Sequence, residues 1–187
     1  SSFEGMGASR EALYGMLVEP ALFILLAGLT VFTGHLSLCT IFNLPESKSY
    51  QMIFALIVAY IIGNITLIEN SRIPVDDPKT HLELTMIHEV MVLDTSGFNL
   101  ALMQSASMLR FAIFGSLIAS AIIPWTLHPA LRITLFLVVQ LLFAGVIGIT
   151  ESFRTRFKMN RNQQYILTVV LISILFFVVV LFTKNIF

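Results

Sequence analysis

The acidic and imidazole side chains between Glu69 and Gly97 are the residues of this sequence whose types and spacing could do chemistry. The segment reads ENSRIPVDDPKTHLELTMIHEVMVLDTSG and contains six carboxylates and two histidines. Such groups exchange protons near neutral pH and ligate metal ions. The segment is longer than most connections between helices, and long connections are often functional. We therefore expect the function of the chain to involve this acidic loop.

A metal site in the loop is not expected. His88-Glu89 is followed by four apolar residues, so the HExxH pattern of zinc enzymes is absent. Cys39 is the one cysteine of the chain, and it can form neither an internal disulfide nor a thiolate cluster. The formal net charge is zero, so no attraction to nucleic acid is implied.

The second half of the loop has the pattern of an amphipathic helix. Pro74 and Pro78 disfavour helix in the first half, whereas residues 80–93 contain neither Gly nor Pro. At about 100° per residue, polar residues share one side and apolar residues the other; they are His81, Thr85, His88 and Glu89 against Leu82, Met86, Val90 and Leu93.

Two carboxylates of the loop break this amphipathic pattern. Glu83 and Asp94 project toward the apolar flank of the predicted helix. Partial desolvation there would raise the pKa of each carboxyl unless a cation is its partner. The alternative is an interfacial helix whose polar groups, His81 and His88 among them, face water or lipid headgroups.

Composition indicates the elements that must position the loop. Apolar residues make up 57% of the chain and charged residues 12%, and the mean hydropathy is +0.88. Five stretches are long and apolar enough to span a membrane, at about residues 16–34, 52–68, 99–124, 131–149 and 165–182. We predict an all-α polytopic transmembrane helix bundle in a single membrane domain, residues 1–187, with a cytoplasmic acidic loop at 69–98. Residues 1–5 contain no initiator methionine, so we expect the C-terminal part of a longer subunit.

Basic residues predict the orientation in the membrane, because Lys and Arg are retained on the cytoplasmic side. With five spans, the N-terminal segment and the loops 69–98 and 150–164 share one side. Seven basic residues fall there, namely Arg10, Arg72, Lys79, Arg154, Arg156, Lys158 and Arg161, against three opposite, Lys48, Arg132 and Lys184. We expect a multi-pass protein of the cytoplasmic (inner) membrane with its N-terminal end and acidic loop in the cytoplasm.

Ionisable residues at or within the spans are a second functional signal. Glu19 follows the start of the first span, Glu69 ends the second, Arg110 lies within the third and Glu151 ends the fourth. A charge in hydrocarbon is costly and is kept for a partner or for a function. Each residue alone is explained by an ion pair or by snorkelling to the interface. Several carboxylates near one face with an arginine favour a proton relay.

The loop resembles a signature of one family of membrane subunits. ENSRIPVDDPKTHLELTMIHE is similar to the loop of the subunit that formate hydrogenlyase and other membrane-bound nickel-iron hydrogenases share with respiratory complex I. The complex I loop reads approximately ExxRxPFDLPEAEQEL, and His81 stands where that pattern has Glu. ESFRTRFK at 151–158 is similar to the family's ESxxARxR, and Arg10 and Glu19 have a family-like spacing. The matching loop residues are Glu69, Arg72, Pro74, Asp76, Pro78, Glu83 and Leu84.

The resemblance implies a subunit that anchors a peripheral electron-transfer arm and couples it to proton or sodium movement. It implies no cofactor in this chain, with a nickel-iron centre and iron-sulfur clusters in partner subunits. The implied partners are hydrogenase large and small subunits, an iron-sulfur subunit and antiporter-like membrane subunits. By position, the proton-path candidates are Glu19, Glu69, Asp76, Glu83, Asp94, Arg110 and Glu151, and the loop-structure and partner-contact candidates are Arg72, Asp77, His81, His88 and Glu89.

Three other functions stay open. The loop departs from complex I by about three extra residues after Glu83 and by alanine rather than glutamate near residue 107, so a quinone-chamber subunit is the alternative and not the first expectation. An independent ion transporter would often show two similar halves with broken helices, and none is evident. A purely structural anchor would need the carboxylates to be fully paired.

Overall fold

The computed structural model describes residues 2–42, 51–75, 96–153 and 159–186. Within these ranges the regular structure is helical. The helices are α1 Ser2–Thr33, α2 Leu38–Ile41, α3 Gln51–Glu69, α4 Phe98–Ile122, α5 Pro129–Phe153 and α6 Met159–Ile186. The amphipathic helix expected at residues 80–93, with Asp76, Asp77, His81, Glu83, His88, Glu89 and Asp94, lies outside the described residues.

The predicted membrane helices are confirmed as five helices long and apolar enough to span a membrane, which are α1, α3, α4, α5 and α6. The first span was predicted from about residue 16, whereas the stretch that could cross a membrane begins at Gly7 and the helix α1 itself begins at Ser2. The reason is that residues 2–15 contain no proline and several good helix formers, among them Glu11, Ala12 and Leu13. Polar residues of this first part, including Glu11, therefore belong to the same helix as the apolar span.

Three helices, α1, α3 and α6, form the most tightly buried part of the bundle. In α1, Val18, Ala21, Leu25 and Leu29 are fully buried, at the spacing of one helix face. They pack against α3 and α6. Phe54 of α3 joins the three helices, because its ring stacks on Phe32 of α1 at 4.9 Å and meets Phe176 of α6 edge-on at 5.7 Å.

A glycine permits the close approach of α1 to α6. A β-carbon at Gly28 would lie 3.0 Å from Cε1 of Phe176 and 3.1 Å from its Cδ1. Small residues at such crossings let helix backbones approach in membranes, where packing rather than hydrophobicity drives association. Gly28 and Phe176 are thus matched in shape.

The other two long helices extend the bundle sideways. α4 packs on α3, and α5 packs on α4. Phe111 of α4 and Phe143 of α5 have ring centroids 5.2 Å apart, and Gln140 of α5 fills the space beside Gly115 of α4. The membrane span of α5 is only 6% buried within the described chain. Its apolar outer face is therefore available to lipid or to other subunits.

Candidate functional site

Most charged residues of the described bundle gather at one end, which we call the charged end. It is the end where α1 and α4 begin and where α3 and α5 finish. Charged side chains of α1, α3, the turn after α3, α4 and α5 lie at this end. They include Glu11, Glu69, Arg72, Arg110 and Glu151. Helix ends from different parts of the chain thus meet where the sequence predicted the cytoplasmic face.

Arg110 links α1, α3 and α4. Its Nη1 donates a 2.9 Å hydrogen bond to the backbone carbonyl of Glu69 and lies 3.5 Å from Oε1 of Glu11. Glu69 is the last residue of α3, and the carbonyls of a last helical turn have no partner within the helix. A cation is favourable at that end of a helix dipole. Arg110 therefore caps α3 and binds a carboxylate of α1 at the same time.

Three carboxylates line one cavity at this end. Glu11 and Glu19 of α1 and Glu69 of α3 face a cavity of about 460 Å³, which we call the acidic cavity. Glu11 and Glu19 are eight residues apart, which is about 12 Å along the helix axis. Gly15 lies between them, and a β-carbon there would meet nothing within 4 Å. The carboxylates thus follow one side of α1 from its end into the membrane span.

A second ion pair lies beside the acidic cavity. Arg72 Nη1 is 3.4 Å from Oε1 of Glu151, and the two side chains are 46% and 22% exposed. Arg72 lies in the turn after α3, where Ser71 has a positive φ of 48°, and Glu151 lies in the last turn of α5. The pair connects the turn that leads into the acidic loop with a helix that otherwise packs at the edge of the bundle.

Buried polar residues connect α3 and the turn after it with α6. Tyr165 donates a 2.5 Å hydrogen bond from its hydroxyl to Oδ1 of Asn64. Asn162, fully buried, donates a 2.8 Å bond from Nδ2 to the carbonyl of Val75, and its Oδ1 has no partner among the described residues. Polar side chains in apolar spans commonly bond across helices. These contacts fix the start of the acidic loop to the membrane bundle.

The structure brings some of the predicted site residues together. Glu19 and Glu69 share the acidic cavity, and Arg110 contacts the end of the helix that bears Glu69. Arg72 and Glu151 form a separate pair. The remaining seven predicted residues, from Asp76 to Asp94, lie outside the described residues. Among the described residues no group of three possible ligands could hold a metal ion.

Sequence reasoning missed four residues of this region. They are Glu11, Asn64, Asn162 and Tyr165. A signal for Asn64 was present, because an amide within an apolar span is costly unless it is hydrogen-bonded. Nothing in the sequence indicated that Arg110, 99 residues away, would contact Glu11.

Fold and site together define a polytopic helical membrane protein with a cluster of carboxylates and arginines at one end of its bundle. The chain belongs to the NADH dehydrogenase family, that of complex I subunit 1, whose family model matches residues 1–182. It is therefore a member of the family that its loop resembles.

Two curated relatives come from Escherichia coli (strain K12). Formate hydrogenlyase subunit 4 is 29% identical over 129 residues, which cover 67% of this chain and 40% of the relative. Hydrogenase-4 component C is 30% identical over 125 residues, which cover 67% of this chain and 39% of the relative. The chain thus matches about two fifths of the length of these relatives. No solved structure matches significantly.

Proposed function

We propose that this chain is a membrane-anchoring and ion-coupling subunit of a multisubunit membrane-bound hydrogenase or formate hydrogenlyase. It would link electron transfer in a peripheral arm to translocation of protons or sodium ions. The names of the two relatives support the hydrogenase branch. The acidic cavity, with Glu11, Glu19 and Glu69 on two helices, is the observation that carries the ion-coupling part.

The carboxylates that line the acidic cavity suit ion exchange. Three carboxylates line the cavity, and Arg110 contacts Glu11 and the backbone carbonyl of Glu69. A carboxylate can take up and release a proton, and carboxylates that line one cavity can do so in succession. The cavity extends toward Glu19 within the span of α1. In this proposal an ion enters at the charged end and moves along the cavity toward Glu19.

The chemistry of electron transfer would belong to partner subunits. In this proposal, hydrogenase large and small subunits and an iron-sulfur subunit hold the nickel-iron centre and the clusters, and antiporter-like subunits continue the ion path in the membrane. The acidic loop and the charged end would face the peripheral arm. Arg72 and Glu151 would hold the base of the loop in place for that contact, because they join the turn after α3 to α5.

The test is Glu69→Gln in the full-length subunit within its assembled complex. Inverted membrane vesicles would be supplied with electron donor, and hydrogen formed and ions taken up would be measured together. We expect ion uptake per hydrogen to fall toward background, because an amide cannot exchange the proton, while the detached peripheral arm keeps its rate. Protonophore and sodium ionophore would distinguish the two ions.

Glu46→Gln is the matched control, since Glu46 falls in the sequence between α2 and α3, and the five predicted spans put that connection on the side opposite to the acidic loop. It should leave the ratio unchanged. Equal ion uptake in Glu69→Gln and Glu46→Gln would reject the coupling role and leave a structural anchor.

The alternative function is a quinone-chamber subunit of a complex I-type enzyme. It is favoured by the family description and by a second, mostly apolar cavity of about 500 Å³ between α3, α4 and α5, with Tyr60, Asn64 and Thr150 as its polar residues. A quinone ring would need such hydroxyl and amide groups beside an apolar wall. Turnover that depends on added quinone, without hydrogen formation, would establish this alternative.

A further inference from the structure

A groove lies between α4 and α5 at the end of the bundle opposite to the charged end. It has a volume of about 350 Å³ and runs between the last two turns of α4 and the first two turns of α5. We call it the interfacial groove. Its lining includes Ser116 and Ser120 of α4, Trp125 at the connection and Arg132 of α5, and the other lining side chains are apolar.

The walls of the interfacial groove suit a hydrocarbon chain. Ser116 and Ser120 donate their hydroxyls to carbonyls of their own helix, Ile113 and Leu117, at 2.7 and 2.8 Å. Their hydroxyl hydrogens are therefore used within α4, and the other lining side chains of α4 present carbon to an occupant. A ligand that accepts hydrogen bonds would gain little from these two hydroxyls, whereas an acyl chain would lose no hydrogen bond there.

One charged group stands at this apolar groove. The guanidinium carbon of Arg132 lies 4.2 Å from the ring centroid of Trp125, a cation–π contact. Trp125 is 43% exposed, in the connection just beyond the end of α4. Tryptophan and arginine are typical of the headgroup level of a membrane, where each keeps a polar end near water. The stacked pair therefore places a fixed positive charge at the mouth of the groove.

The location of Arg132 within its helix is unfavourable without an anion. It lies in the first turn of α5, beside the positive end of the helix dipole, and that turn contains no acidic residue. In the part of the chain that the structure describes, no carboxylate forms an ion pair with Arg132. A phosphate at this place would interact with both the guanidinium and the helix end.

We propose that the interfacial groove binds a membrane phospholipid, with its phosphate on Arg132 and one acyl chain between α4 and α5. The lipid would be a structural ligand. α5 is only 6% buried along its span, so an acyl chain in the groove adds apolar contact where the protein supplies little. The bound lipid thereby fastens α5 to α4.

The experiment is photolabelling of the full-length subunit in its native complex, reconstituted in nanodiscs. The probes are a phosphatidylglycerol and a diacylglycerol that bear the same photoreactive acyl chain. We expect phosphatidylglycerol to label peptides of residues 116–136 and diacylglycerol to label them weakly. Arg132→Gln should lower this labelling about fivefold, the factor for roughly 1 kcal/mol from one basic residue near an anionic lipid.

Three variants and one competitor complete the design. Arg132→Lys keeps the charge and should keep most of the labelling, which separates loss of charge from misfolding. Arg161→Gln, at an exposed arginine near the charged end, should have no effect, and Trp125→Ala should reduce the labelling. Inorganic phosphate should not displace the probe. Labelling that is equal for both probes, unaffected by Arg132→Gln or abolished by inorganic phosphate would overturn the proposal.

Discussion

Arg110 of α4 contacts both α1 and the end of α3, and it thereby connects three helices at the charged end. Its 2.9 Å bond to the Glu69 carbonyl uses an acceptor that the helix itself leaves free, and Glu11 adds a charge partner at 3.5 Å. The arginine side chain is 37% exposed. Solvent screening therefore limits the ion pair, whereas the hydrogen bond to the carbonyl keeps its geometric role.

Arg110→Ala should destabilise the assembled complex. The change leaves the last carbonyl of α3 without its donor and Glu11 without its arginine, which we expect to cost about 1–2 kcal/mol at this partly exposed site. The measurement is the midpoint of thermal unfolding of the detergent-purified complex. Arg161→Ala, at an exposed arginine of α6, is the control. Equal midpoints for the two variants would show that the Arg110 contacts contribute no net stability.

At the residue scale, the sequence predicted which ionisable residues belong to the site but not which residues they contact. Glu19, Glu69, Arg110 and Glu151 were identified because charges in apolar spans are costly. The pairing of Arg72 with Glu151 joins residues 79 positions apart, and that of Tyr165 with Asn64 residues 101 positions apart. Such pairings depend on which helices are neighbours, and hydropathy holds no information on that.

At the element scale, the five spans could be predicted and their packing could not. A stretch of about 20 apolar residues must be helical in a bilayer because every backbone group needs an internal partner. The contact of α1 with α6 depends instead on shape, above all on Gly28 against Phe176. The sequence does not reveal which side chain packs against a glycine in an apolar span.

Gly28→Leu should weaken the packing of α1 on α6. A β-carbon at this position already approaches the Phe176 ring to 3.0 Å, so the larger side chain forces a shift that costs about 1–3 kcal/mol. Combining it with Phe176→Ala should cost less than the sum of the two single changes, because the truncated ring makes room. The thermal midpoint of the complex measures each variant.

Gly145→Leu is the control for this cycle, since a β-carbon at Gly145 of α5 would meet nothing within 4 Å among the described atoms. It should be close to neutral. Strict additivity of Gly28→Leu and Phe176→Ala would argue that the two residues do not pack against each other.

At the scale of the whole molecule, the two ends of the bundle differ in chemistry. The charged end holds the acidic cavity and both ion pairs, whereas the opposite end holds the interfacial groove with Arg132 on Trp125. This polarity fits the proposed function, in which the charged end would meet a peripheral arm. The proposed function therefore requires that the charged end face the cytoplasm.

Orientation can be tested with single cysteines at the two ends. In a Cys39→Ala background, Ser37→Cys and Ser152→Cys place thiols at exposed positions separated by α3, α4 and α5. Because basic residues favour the charged end as the cytoplasmic side, a membrane-impermeant maleimide should label Ser152→Cys in inverted vesicles and Ser37→Cys in right-side-out vesicles. The reverse pattern would place the acidic cavity outside the cell, where a cytoplasmic electron-transfer arm could not reach it. Labelling of both cysteines from one side would show that one of the three intervening helices does not cross the membrane, since three crossings must separate the two positions.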